Sequence, residues 1–411
     1  MTRFIHRKFN HFIYLGLILS FIVFSTPFSS VSPQNVNPLT QQEIRGVWLS
    51  NVSSGVLFVP WGINRALNQL SAYNFNTVYP VVWNRGYTFY KSEIAQRETG
   101  FDTQPLLNLL RGGNDVLATI AQLSARKNLR VIPWFEYGFM LPPNSILARV
   151  HPDWLTTQSS GVNWTEETTV DLETGHSHSK PITRKEVWLN PFHPLVQNFI
   201  KGLILEVVTK YNVDGIQLDD HFGIPVRLGY DSFTVQLYQQ EHNGKKPPID
   251  PFNPEWMRWR ADKLTNFIQD IVQSVKAVNP NAQLSLSPNS QAFSYKHYLQ
   301  DWENWVNKGL VDELILQVYR NDKKSFLDEL KQTAIQNVRR KIPVSVGILT
   351  GTLTNPVDIQ RVREQVRLVR EQSFDGFSFF YWESLWSYMT PDAPKKRRKA
   401  FLEMFALTKA K

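Results

Sequence analysis

The chain has 411 residues, 42% hydrophobic and 20% charged, so it can bury a large core and is too apolar for a disordered polymer. Its formal charge of +9 favours anionic neighbours without choosing among them. The absence of cysteine excludes disulfides, thiolate metal sites, a Cys nucleophile and lipid attachment through an N-terminal cysteine.

Residues 1–11 carry Arg3, Arg7 and Lys8, and residues 12–28 are then almost continuously apolar. This is the charged start and apolar run of an export signal. No small-x-small cleavage site stands out, and the run is near the lower length for crossing a bilayer. The expectation for residues 1–28 is therefore a cleaved signal or a retained membrane anchor, with the rest of the chain periplasmic or extracellular. Residues 29–42, rich in Ser, Pro, Gln and Asn, read as a tether.

From residue 43 strand and helix patterns alternate. Strands are predicted at 45–50, 77–83, 129–137, 213–218, 283–287, 313–319, 343–349 and 375–381. Helices are predicted at 64–73, 115–127, 195–211, 255–278, 296–307, 324–335, 358–371 and 395–407. Eight strand–helix repeats without an internal linker predict one α/β domain over 43–407, a (β/α)8 TIM barrel. A doubly wound open sheet is the alternative, disfavoured because no Gly-x-Gly-x-x-Gly turn follows the first strand. The segments 84–113, 139–193 and 222–254 become long loops on the barrel rim, where clefts are built. The basic run Lys395-Lys396-Arg397-Arg398-Lys399 reads as a solvated helix face. No nucleic-acid signature accompanies it, and no nucleic-acid partner is expected.

The fourth strand ends abruptly in Asp219-Asp220-His221, a polarity reversal that packing does not require. Strand ends on that side of such barrels carry chemistry. Strand alternation lets only one of the two acids face the axis, and Asp219 is expected to be the inward one. The other strand ends contribute Trp48, Trp83 with Asn84, Trp134 with Glu136, Gln317 with Tyr319, and Trp382 with Glu383. Carboxylates, amides, hydroxyls and indole faces make up a sugar-processing inventory. No cofactor is expected. A metal would need clustered His or Asp; His151, His176 and His178 lie in loops, leaving only Asp219, Asp220 and His221 as a metal reading. No Gly-x-Ser-x-Gly elbow supports an esterase. Each acid also has a plainer role: Glu136 could orient Arg45 or Arg320, and Glu383 could cap a helix.

Several stretches resemble the bacterial glycosyl-hydrolase-like family 10 proteins, a group that includes a divisome-localised glycosidase acting on peptidoglycan glycan strands stripped of stem peptides. They are Glu43 to Leu49, Leu189-Asn190-Pro191, Val213 to Phe222, Tyr298 to Trp302 and Gln317-Val318-Tyr319. The resemblance implies a glycosidase-type barrel whose leading catalytic candidate is the aspartate of the fourth strand, Asp219. Glu136 and Glu383 make this chain richer in acid than the family pattern at those two places.

The favoured reading is a glycoside hydrolase acting on a cell-envelope polysaccharide, with peptidoglycan glycan among the candidates. Asp219 would be nucleophile or charge stabiliser, with Asp220 beside it, and Glu136 or Glu383 would protonate the leaving oxygen. Trp48, Trp83, Asn84, Trp134, His221, Gln317, Tyr319 and Trp382 would bind and orient the sugar. The rival readings are a non-catalytic glycan-binding or scaffold protein on the same barrel, and a transglycosylase. Oligomeric state is not addressed by the sequence.

Overall fold

The computed structural model describes residues 43–169, 182–352, 355–386 and 390–406. The apolar run 12–28, the tether 29–42 and the end of the last predicted helix lie outside the described residues. Among the described residues no helix is long and apolar enough to cross a membrane.

Eight parallel strands close on themselves: β1 Ile44–Leu49, β2 Thr77–Asn84, β3 Arg130–Val131 with Trp134–Phe135, β4 Gly215–Asp219, β5 Gln283–Ser287, β6 Glu313–Gln317, β7 Val344–Leu349 and β8 Gly376–Phe380. Each pairs with its sequence neighbours, and β1 pairs with both β2 and β8, which completes the TIM barrel expected from the repeats. The third strand is shorter than predicted because Pro133 has no N–H for the ladder. Two predicted helices are each divided: 296–307 becomes Gln291–Tyr298 and Trp302–Asn307, and 324–335 becomes Lys323–Leu330 and Thr333–Val338.

The even-numbered strands begin with one repeated device. Asp214, one residue before β4, donates its N–H to Val131 O and accepts the N–H of Val131 on Oδ2. Asp312 closes the same reciprocal pair with Leu284 of β5, and Asp375 with Val344 of β7. Asn76 does so for Arg45 of β1 through its amide oxygen. Four side chains thus satisfy backbone donors at the lower rim, where a strand start would otherwise leave them open.

The barrel interior is unusually polar. Trp48 lies across the axis and donates its indole N–H to Gln217, which in turn donates to Ser285. Lower down, Arg130 forks onto Glu313 and reaches Gln283. Gly46 makes room for this filling, since a Cβ there would lie 2.4 Å from Ser378 Oγ and 2.6 Å from the Tyr79 ring. Outside the barrel, Phe75, Phe377, Phe379, Phe401 and Phe405 pack edge and face between the sheet and the last helix, Pro394–Phe405.

The long rim segments are not structureless. Residues 84–113 carry helices Glu93–Thr99 and Pro105–Leu110, and 222–254 carry Ser232–Glu241. Met140–Leu141, Trp164–Thr169 and Ile182–Trp188 form a small antiparallel sheet beside the mouth.

Candidate active site

The C-terminal mouth of the barrel gathers Asp219, Asp220, His221 and Glu136. Asp219 ends β4 facing the axis and is buried; its Oδ1 accepts from Gln317 Nε2 at 2.9 Å. Gln317 reaches it from β6 and is itself fixed on Ser287 O at 2.9 Å. Because the strand stops at Asp219, the next side chain also turns into the mouth, and Asp220 Oδ2 accepts from Asn289 at 2.7 Å. Gln300 Nε2 holds the Asp219 and Asp220 carbonyls at 3.0 and 3.2 Å, anchoring this turn from below the loop. Strand pattern gave no warning of Gln300, which is placed by the loop between two helices.

His221 Nδ1 lies 2.9 Å from Asp220 Oδ1 and 3.1 Å from the Glu136 carbonyl. Both partners only accept, so Nδ1 carries a proton. Asp219 Oδ2 is 3.8 Å away, and the charges of the two aspartates hold the imidazole well above its usual pKa despite burial. The ring is backed by Tyr137 and Trp188, with centroids 5.9 and 6.0 Å distant. Gly138 is required here. Its φ is +49°, and a Cβ would lie 2.2 Å from His221 O.

Glu136 follows β3 and is gripped by the amide of Asn84 at the end of β2. Burial raises its carboxyl to about 7, against the opposing pull of Asn84, His221 and Arg85. Burial and then the Asp220 charge likewise push Asp219 upward, with His221 opposing. Tyr319 is raised by burial and by Asp219, Asp220 and Glu136 together, so its hydroxyl shares their surroundings. Two buried polar atoms at this mouth, Asn84 Oδ1 and Trp134 Nε1, have no hydrogen-bond partner among the described residues.

Other sequence candidates stand elsewhere. Trp48, 1% exposed, stacks below the mouth against Tyr79, Trp134 and Phe380, so it is floor rather than an open platform. Trp83 faces outward: a bulge between Val81 and Trp83 shifts the register, its ring packs on Phe199, and its N–H is bonded to Gly138 O. The same shift aims Asn84 inward. Trp382 and Glu383 lie beyond β8 on the short helix Trp382–Trp386. There Glu383 accepts from Ser54 at 2.9 Å and lines a separate rim cavity instead of joining Asp219. Neither Arg45 nor Arg320 meets Glu136; they pair with Glu43 and Glu329.

Ligand atoms of Asp219, Asp220 and His221 lie within 4.8 Å of one another. His221 Nδ1 is taken up by Asp220 and the Glu136 carbonyl, which leaves Nε2 and the carboxylate oxygens as the atoms that could meet a cation. What the mouth brings together is two inward carboxyls, Glu136 and Asp219, whose protonated forms burial favours, beside an imidazolium and amide donors that favour ionisation, a setting for acid-assisted displacement at an acetal carbon.

Residues 43–367 match the family described as Glycosyl hydrolase-like 10. Glycosyl hydrolase YngK of Bacillus subtilis (strain 168) is 23% identical over 348 residues, 74% of this chain but only 58% of that protein. Glycosyl hydrolase DigH of Escherichia coli (strain K12) is 22% identical over 333 residues, 72% of this chain and 69% of that protein. The glycoside hydrolase domain of PgaB (BpsB) from Bordetella bronchiseptica superposes with a TM-score of 0.58 at 14% identity, covering 86% of this chain and 99% of that one. Alpha-L-fucosidase isoenzyme 2 from Paenibacillus thiaminolyticus gives 0.60 at 14%, covering 89% of this chain and 49% of that one. At such identities the structural likeness establishes the barrel alone, whereas the family match spans most of the chain. This chain belongs to the glycosyl hydrolase-like 10 family.

Proposed function

We propose that the protein is an exported glycoside hydrolase that cleaves an envelope polysaccharide at the mouth holding Asp219, Asp220 and Glu136. The observation that carries the reading is Glu136, a carboxyl raised to about 7 in the same enclosure as a second inward carboxyl. Glu136, protonated near neutrality, donates its proton to the leaving glycosidic oxygen. Asp219 meets the positive charge that develops at the anomeric carbon, as nucleophile or stabiliser. Burial disfavours its ionised form at rest, but the Gln317 amide and His221 favour it, and an oxocarbenium-like centre adds to that pull. Asp220, tied to Asn289 and His221, fixes the imidazolium. Asn84 Oδ1 and Trp134 Nε1 supply an acceptor and a donor for sugar hydroxyls, which offsets the cost of burying them unpaired. Two of these groups, Glu136 and Asn84, therefore act as one unit.

Peptidoglycan glycan stripped of stem peptides is the first substrate to try, on the strength of the family resemblance. The purified chain and its Asp219→Asn variant are incubated with a panel of envelope glycans, and new reducing ends are counted. Release by the parent and a fall of about 10²–10⁴-fold in the variant are expected. Undiminished release by Asp219→Asn refutes the assignment. No release from any glycan by folded protein favours the glycan-binding scaffold instead.

A further inference from the structure

A second cavity, about 380 Å3 in volume, opens on the rim where the segments after β1 and β8 meet. Its lining includes Trp61, Arg65, Trp382, Glu383, Trp386 and Arg398. Several independent features of this lining point to a ligand that is both anionic and ring-shaped.

Two helices start at the cavity, and neither start is capped by a side chain. Gly62–Ala72 has Trp61 at its N-cap and Pro394–Phe405 has Ala393 there, while Gly62 and Pro394 both line the space. Among the described residues eight other helix starts are capped by Asp, Asn, Ser or Gln, while Gln291–Tyr298, Trp302–Asn307 and Thr333–Val338 are likewise uncapped. The positive ends of the two helix dipoles therefore lie at the cavity, although the Gly62 N–H is bonded to Val59 O and Pro394 has no N–H to offer. Arg65 and Arg398 add two guanidinium groups, and neither has an ion-pair or hydrogen-bond partner among the described residues. Three other members of the basic run are otherwise engaged. Arg397 is fully buried and donates to the carbonyls of Leu385, Val357, Thr350 and Ser384, Lys396 pairs with Asp392, and Lys399 approaches Glu403. So a run that reads as one solvated face is divided: Arg397 pins the helix down, and Arg398 is left to the cavity.

The remaining lining suits a sugar rather than a bare anion. Trp61 is 65% exposed, an unusual position for an indole with no ring partner among the described residues. Trp386 is 5% exposed, and its indole N–H has no partner among the described residues. Glu383 keeps one oxygen on Ser54, which leaves the other to accept from a hydroxyl. Facing Glu383, a polyanion such as inorganic phosphate would meet repulsion that a polyhydroxylated ring with one carboxylate, held by the guanidinium groups, avoids.

We propose that this cavity is a rim subsite that binds a carboxylate-bearing sugar residue of the polysaccharide. Arg65 and Arg398 hold the carboxylate, Trp61 covers the ring, and Glu383 accepts from a hydroxyl. Both this cavity and Asp219 lie beyond the C-terminal ends of barrel strands. The assignment rests on the reading that the protein takes an envelope polysaccharide, but it does not need turnover.

Binding is measured by titration calorimetry on the full chain carrying Asp219→Asn, which removes hydrolysis from the readout. The probes are short oligosaccharides of glucuronate, galacturonate or N-acetylmuramate, each paired with its carboxyl-reduced counterpart, and inorganic phosphate alone. At least one acidic oligosaccharide is expected to bind tenfold or more tightly than its reduced form. That advantage should vanish in Arg65→Gln/Arg398→Gln. Trp61→Ala, at an exposed position, should weaken every oligosaccharide while leaving the preference for the carboxylate. Equal binding of acidic and reduced forms, or a preference that survives loss of both arginines, overturns the proposal. Phosphate binding as tightly as the oligosaccharides overturns the sugar part of it.

Discussion

Replacing Glu136 by Gln keeps the shape of the side chain and its acceptor for Asn84 but removes the titration. In the parent the carboxyl moves from 4.5 to about 7 on folding, chiefly through burial. That displacement corresponds to at most about 3 kcal/mol against the ionised form, and less to the extent that water reaches the mouth. The sign follows from proton counting. Between pH 4.5 and 7 the unfolded chain has lost this proton and the folded chain retains it, so stability falls as pH rises through that window. Below pH 4.5 the contribution is fully present, and above 7 it is gone. Denaturant unfolding of both proteins at steps from pH 4 to 8 reads the effect, together with the coupling of Glu136 to Asp219 and His221. The stability of Glu136→Gln relative to the parent should climb by up to about 3 kcal/mol across the window and then level off. In the parent, activity should decline on the alkaline side near pH 7 as the acid loses its proton, and the variant should fall about 10²–10⁴-fold. A relative stability that stays flat from pH 4.5 to 7 would show that Glu136 is ionised throughout, and the acid role would go with it.

Gln317→Met removes the donor 2.9 Å from Asp219 while leaving the volume filled. A hydrogen bond to a charged group contributes about 1.5–3 kcal/mol, so kcat/KM should drop roughly tenfold to a hundredfold with the far-ultraviolet dichroism unchanged. Gly138→Ala forces a Cβ to within 2.2 Å of the His221 carbonyl at a φ of +49°; thermal unfolding should show a loss of about 1–3 kcal/mol, with activity reduced as His221 is displaced. Asp214→Ala strips the clamp from Val131 N, 2.7 Å away, and leaves that donor unpaired. About 1–3 kcal/mol of stability should be lost, measured by urea unfolding, without any change in the pH dependence of catalysis.

The barrel was legible because its strands are short apolar runs at regular spacing, and the mouth because Asp219-Asp220-His221 interrupts one of them. Parity along β4 correctly aimed Asp219 at the axis. Parity failed on β2, where the bulge after Val81 reverses Trp83 and brings Asn84 inward; a bulge depends on strand pairing and leaves no mark in a single strand. An indole at the end of β1 suggests a platform for a sugar, yet Trp48 forms the floor. Its partner Gln217 lies 169 residues away, and only closure of the barrel brings that amide to the indole N–H. Glu383 was misplaced by two or three residues of backbone: β8 ends at Phe380, and the chain turns into a helix that carries the acid to the rim. The clamps, by contrast, have a mark in the sequence. Phe75-Asn76, Val213-Asp214, Val311-Asp312 and Phe374-Asp375 each place an apolar residue and a short acceptor just before an even-numbered strand.

Those clamps bear on why chemistry and stability separate along one strand. β4 spans only Gly215 to Asp219, yet carboxylates flank it at both ends with opposite fates. Asp214 spends its charge on a backbone N–H of the neighbouring strand, a bond that is made once and has no reason to change. Asp219 meets an amide side chain, an imidazolium and another acid, each of which can rearrange as protons move. Between them Gln217 ties the strand across the barrel to Trp48 and sideways to Ser285. The polar interior therefore does more than fill space: it fixes strand height, so that the carboxyl at the top is delivered to Gln317 and His221 by the barrel itself. A purely aliphatic filling would pack as well, but it would not set the register of the acid against its partners.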